Sequence, residues 1–184
     1  MDAIEAITQR VSVPVLTGPD VSEEQIRLLL AAALRAADHA WLRPSRYLLV
    51  RGAALDQLGE VFAATIPEAE RTDESVARML GLPRRAPLVM VAVCRVVDHP
   101  KVPRDEQLLS TGAGVQNLLN AAHAAGLGAI WRTGAIAYHP LVRSALGLAD
   151  EDVIVGFIYV GSVAGKLKTP PELNLDDFVT DWKV

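Results

Sequence analysis

The stretch 110-STGAGVQNLLNAAHAAGLGAIWRTG-134 combines one long apolar helix, a glycine stop, a short strand and a polar exit. Ser110 or Thr111 is of the type that caps a helix start. Leu108, Leu109, Val115, Leu118, Leu119 and Ala122 recur at helical spacing, and Gly126 supplies the positive φ that ends a helix. Between Val115 and Ala125 the polar residues are Gln116, Asn117, Asn120 and His123, none formally charged at neutral pH. A helix surface of that length without charge is poorly suited to water. The helix is therefore central in the monomer or pressed against a second copy.

Working outward, Leu127 to Trp131 reads as a strand, Pro140 to Leu146 as a short helix stopped by Gly147, and Val153 to Val160 as a buried strand. Upstream, Leu88 to Val96 is apolar and β-branched without alternation, which predicts an interior strand covered on both faces. Ser22 with Gln25 three residues on predicts a capping box for a helix ending near Ala37, and a strand follows at Tyr47 to Val50. Ile4, Ala6 and Ile7 suggest a short helix before Arg10, while Asp56 to Ala64 and Val76 to Leu80 suggest two more. The last twenty residues, with Pro170-Pro171, read as an extended tail. Helices alternating with few strands give an α+β or mixed α/β domain spanning 1–184, with no linker and no repeat.

The chain has 184 residues, of which 51% are hydrophobic and only 5% aromatic, so the core is built from Ala, Leu, Val and Ile. A net charge of -4 gives no footprint for nucleic acid, and no apolar run reaches the ~20 residues of a membrane span. Cys94 is the single cysteine, so no intrachain disulfide forms and a buried role is expected. The N-terminus lacks the basic-then-apolar order of a signal peptide, and a cytoplasmic location is expected. No Walker, dinucleotide or zinc spacing occurs. Asp98-His99, which Asp105 and Glu106 join only through a particular fold, reads as a solvated loop, so no metal site is expected.

Basic and polar residues stand together at element boundaries: Arg10 with Ser12, Arg35 with His39, Arg132 with Thr133, and Lys166 with Lys168. Guanidinium forks, a hydroxyl and free backbone amides suit a phosphate. Surface solvation is the favoured reading of this pattern on charge placement alone, with His39 read as a loop histidine and Trp131 as a packing residue. Spacing alone does not reverse these readings.

Taken together, Arg10-Val11-Ser12, 35-RAADH-39, 101-KVPRDEQ-107 and 128-GAIWRTG-134 occur in an order and at a spacing that resemble the nitroreductase family, in particular its short bacterial branch. The resemblance implies an α+β fold with a central, mainly antiparallel sheet flanked by helices. It also implies a homodimer, with FMN at the interface and NAD(P)H as co-substrate. Carried over, Arg10, Val11 and Ser12 are FMN-binding residues near the phosphate and ribityl chain. Arg35 and His39 match further flavin contacts donated across the interface, and Trp131, Arg132 and Thr133 match the segment passing the isoalloxazine ring. Lys166 or Lys168 would supplement the phosphate site.

Family members often carry a second arginine where Val11 stands, a basic residue near Val15, and Gln-Pro-Trp where this chain has Arg43-Pro44-Ser45. Two lost arginines remove about 3 to 6 kcal/mol of charge-assisted hydrogen bonding before compensation, part of which Arg43 could supply. The implied activity is an FMN-dependent NAD(P)H oxidoreductase that reduces nitroaromatic, quinone or similar small acceptors by alternating hydride transfer, with no side chain assigned as catalytic acid or base. The alternative is a non-catalytic, flavin-binding homodimer that kept the fold.

Overall fold

The computed structural model describes residues 1–183. Its centre is strand β3, Leu88–Cys94, in which every residue is buried, as the uninterrupted apolar run requires. The strand stops two residues short of the predicted Val96 because Arg95 is exposed. β2 (Ser45–Arg51) pairs with it on one side and β5 (Val153–Val163) on the other; β4 (Gly128–Arg132) and the two-residue β1 (Leu16–Thr17) both pair with β5. Every pairing is antiparallel.

Alternation in β3 divides the core between the two faces of the sheet. Leu88, Met90 and Ala92 pack with α2 (Glu23–Ala33) and α5 (Arg104–Ala124). Val89, Val91 and Val93 face α3 (Ala54–Ala63) and α6 (Pro140–Ala145), where Phe62 meets Phe157 edge to face at 5.2 Å. Along β5, Ile154 and Phe157 lie on the same face although they are three positions apart, a step that would place them on opposite faces of a regular strand. A bulge resolves this: Ala92 pairs with Gly156 and Val93 with Ile154, leaving Val155 as the extra residue.

Local signals held where they were self-contained. Ser22 and Gln25 form the expected capping box at the start of α2. Ser22→Ala is therefore expected to lower stability by about 1 kcal/mol in chemical denaturation, and unchanged stability would show that the box is not holding the helix end. α2 closes at Ala33, before the predicted Ala37, because Arg35 and Ala36 bond back three residues rather than four. α4 (Asp73–Gly81) starts earlier than Val76 because Thr72 and Ser75 cap it reciprocally. α1 (Ala3–Gln9) is capped by Asp2.

The largest correction concerns α5, which begins at Arg104 rather than at Ser110 or Thr111. Neither hydroxyl caps. The Ser110 hydroxyl donates to the Ala37 carbonyl at 2.8 Å, and the Thr111 hydroxyl donates to the Gln107 carbonyl one turn back at 3.1 Å. Buried Gln107 donates to the Val97 and Val102 carbonyls and accepts from the Val97 amide, which pins the preceding loop. One face of α5, including Val115, Leu118 and Ala122, is core, while Leu109 is 72% exposed and Ala113 and Gln116 are exposed beside it.

After β5 the described chain holds no helix or strand apart from the 3₁₀ turn Leu175–Asp177, and Leu173, Phe178 and Trp182 are exposed there. No helix among the described residues is long and apolar enough to cross a membrane.

Candidate functional site

The residues singled out by sequence fall into two sets. The first lies on the segment after α1 and on β4 with the turn that follows it. Arg10 closes α1 and turns into extended backbone, and the Val13 amide then donates to the Ala129 carbonyl at 3.0 Å, tying this segment to the strand that ends on Arg132. Ser12 and Thr133 are exposed, whereas Arg10, Val11 and Arg132 are half-buried. Arg10 Nη1 and Arg132 Nε are each shut away from solvent with no hydrogen-bond partner. A buried donor left unpaired costs about 1 to 3 kcal/mol, and more when charged.

Trp131, between them, is a packing residue. Its Nε1 donates to the Val155 carbonyl at 3.1 Å, the carbonyl that the β5 bulge sets apart from the β3 ladder. The indole lies against Gly156, where a Cβ would come 2.0 Å from Nε1, and its far edge reaches Gly112 of α5. Gly134, at φ 83°, then turns the chain out of the strand.

The second set lies in the loop between α2 and β2. Ala40, Trp41 and Arg43 adopt positive φ (58°, 57° and 49°), which costs an L-residue about 1 to 2 kcal/mol each. Local strain of this kind clusters at functional sites. Within the loop Asp38 accepts from the Arg43 amide at 2.7 Å; from outside, α5 holds it through Ser110, which bonds Ala37, and through Glu106 Oε2, which His39 Nδ1 meets at 2.6 Å. Glu106 thus serves His39 and not His99, whose ring accepts from the Lys101 amide. Among the described residues no cluster of three or more His, Cys, Asp or Glu could hold a metal ion.

Arg35 and His39 are exposed, and no hydrogen bond or ion pair among the described residues joins this set to the first. Lys166 and Lys168 lie beyond β5, exposed and without a bond to either set. Three contributors carried no usable sequence signal. Glu106 is 67 positions from His39. Gly156 matters only because of the bulge. The Tyr47 hydroxyl, buried without a partner, has its pKa pushed up to about 12 by burial and stays protonated at neutral pH. Cys94 is fully buried, and burial raises its thiol pKa, as a structural role predicts.

Residues 7–162 match the nitroreductase family. YdjA of Escherichia coli K12, an NAD(P)H nitroreductase by name, is 36% identical over 98% of this chain and 99% of its own. A Haemophilus influenzae Rd relative named for the same activity is 30% identical over 98% and 99%. Among solved structures, a nitroreductase-like family protein from Bacillus cereus superposes with a TM-score of 0.88 at 24% identity, over 98% of this chain and 96% of that one. With the antiparallel sheet, its flanking helices and sequence relatives spanning the whole length all in agreement, this chain belongs to the nitroreductase family.

Proposed function

We propose that the protein is an FMN-dependent NAD(P)H oxidoreductase that works as a homodimer on nitroaromatic, quinone or similar small acceptors. The observation that carries this reading is the pair of buried, unpartnered guanidinium nitrogens of Arg10 and Arg132, donors of the type a phosphorylated cofactor needs. Solved structures with this fold include a nitroreductase with bound FMN from Bacteroides fragilis, TM-score 0.77, covering 100% of both chains at 17% identity.

In this reading Arg10, Ser12, the Val11 backbone, Arg132 and Thr133 of one chain hold the phosphate and ribityl end. Arg35 and His39 come from the second chain, which accounts for two sets that do not touch within one. FMN, when bound by these residues, would supply the two-electron chemistry between NAD(P)H and the acceptor. Trp131, locked on Val155, fixes where the amides of Arg132 and Thr133 point, and Glu106 fixes the His39 ring through Nδ1. The exposed Leu109, Ala113 and Gln116 of α5 and the exposed apolar side chains of the tail, such as Phe178 and Trp182, supply surface for the second copy.

The test is to load the purified protein with FMN and follow flavin absorbance without oxygen. NADH or NADPH should bleach it, a nitroaromatic should restore it, and light scattering should give the mass of two chains. Flavin that is retained but stays oxidised with both donors would instead favour the non-catalytic flavin-binding homodimer.

A further inference from the structure

A cleft of about 880 Å³ opens beneath the strained loop between α2 and β2. Its lining includes three arginines, Arg35, Arg43 and Arg46, against one carboxylate residue, Asp38, in a chain whose net charge is -4. Local placement, not overall charge, makes this cleft cationic. Arg46 is committed to the Arg43 and Ser45 carbonyls at 2.7 and 2.8 Å, and Asp38 is occupied by the Arg43 amide. The side chains of Arg35 and Arg43 make no ion pair among the described residues.

Apolar surface from Leu30, Leu34 and Pro44 lines the same cleft, and Trp41 stands at it 79% exposed, with the Arg43 guanidinium 5.6 Å from its ring centroid. Positive φ at both Trp41 and Arg43 shows that backbone strain is tolerated in the residues that present these two groups. An exposed indole beside an unpaired guanidinium, over an apolar floor, suits a flat ring that carries a negative charge.

We propose that this cleft selects an aromatic carboxylate as the electron acceptor, with Trp41 stacking on the ring and Arg43 pairing with the carboxylate. The redox consequence rests on the flavin reading above; the binding does not. For a nitroarene acid the chemistry balances without the carboxylate: hydride from NAD(P)H and one solvent proton convert the nitro group to nitroso and water, leaving NAD(P)⁺. Arg43 acts on which acceptor binds, and not on how the donor is oxidised.

The probes are 4-nitrobenzoate and the neutral 4-nitrobenzyl alcohol. With FMN-loaded protein, kcat/KM should favour the acid by about tenfold, the worth of one charge-assisted pair. Arg43→Ala should lower kcat/KM for the acid about tenfold more than for the alcohol, and Arg43→Lys should recover part of the difference. Calorimetric titration of the unreduced protein with 4-nitrobenzoate gives a readout independent of turnover, in which Arg43→Ala and Trp41→Ala should each weaken binding several-fold. No acid preference in the wild type, or an equal fall for both probes with loss of retained FMN in Arg43→Ala, would overturn the proposal and place Arg43 at the flavin instead. Protein that binds the acid by calorimetry but never bleaches with NAD(P)H would sink the flavin-enzyme reading while leaving the cleft assignment standing.

Discussion

Gly156→Ala is expected to lower folding stability by about 3 to 4 kcal/mol and to reduce FMN retention at the same time. The added methyl would lie 2.0 Å from Trp131 Nε1, 2.4 Å from its Cδ1 and 3.0 Å from the Arg132 carbonyl oxygen. These atoms cannot yield cheaply. The indole is a rigid bicycle anchored to the Val155 carbonyl, and the carbonyl of Arg132 belongs to β4, which is paired with β5 over Gly128–Arg132. Gly156 does not have a positive φ, so the loss is steric rather than a matter of backbone freedom.

The other side of the same ring gives the control. A Cβ at Gly112 would meet the indole at 3.8 Å, an ordinary contact, and alanine is the better helix former by about 1 kcal/mol. Gly112→Ala should therefore be neutral or slightly stabilising. Urea denaturation of the two variants, with FMN fluorescence titration of each, checks the pair. Equal stabilities would mean that the indole is not wedged between β5 and α5.

Arg132→Ala is expected to raise the Kd for FMN by about 10- to 100-fold, equivalent to one strong charge-assisted hydrogen bond, and Arg10→Ala should act in the same direction. Stability without flavin should move the other way or not at all. The Arg132 side chain has no hydrogen-bond or ion-pair partner to lose within the described chain, and its Nε is buried unpaired. Removing such a group relieves a desolvation cost of about 1 kcal/mol or more. Arg132→Lys keeps the charge but not the planar fork and should recover only part of the affinity. Unchanged flavin affinity in both alanine variants would reject the assignment of the first set.

Most of the sheet could be read locally. Leu88 to Cys94 announces a doubly covered strand by composition alone, and the same holds for the core of β5, because burial on both faces leaves no polar position to keep. The capping box at Ser22 and Gln25 is equally self-contained, since donor and acceptor are three residues apart. The four motifs that carry the resemblance identified the family before any contact was known, and the match over residues 7–162 agrees with them.

The start of α5 shows where such reading ends. Ser110 and Thr111 have the chemistry of a cap, yet one hydroxyl is used by the Ala37 carbonyl in the loop after α2 and the other by the turn behind it. A polar side chain goes to whichever acceptor the packing brings within reach, and packing is not a local property.

The amino-acid order therefore settled most of the strands and helices, though neither β1 nor the start of α5, as well as the aliphatic core and the family the chain joins, because each of these depends on periodicity or on short motifs. Tertiary structure alone decided that Trp131 is a wedge, that Glu106 holds His39 and that Arg10 and Arg132 have buried nitrogens without partners. Each of these depends on atoms from distant segments meeting within a few ångströms, a distance fixed by how the bulged sheet and its two helical layers pack.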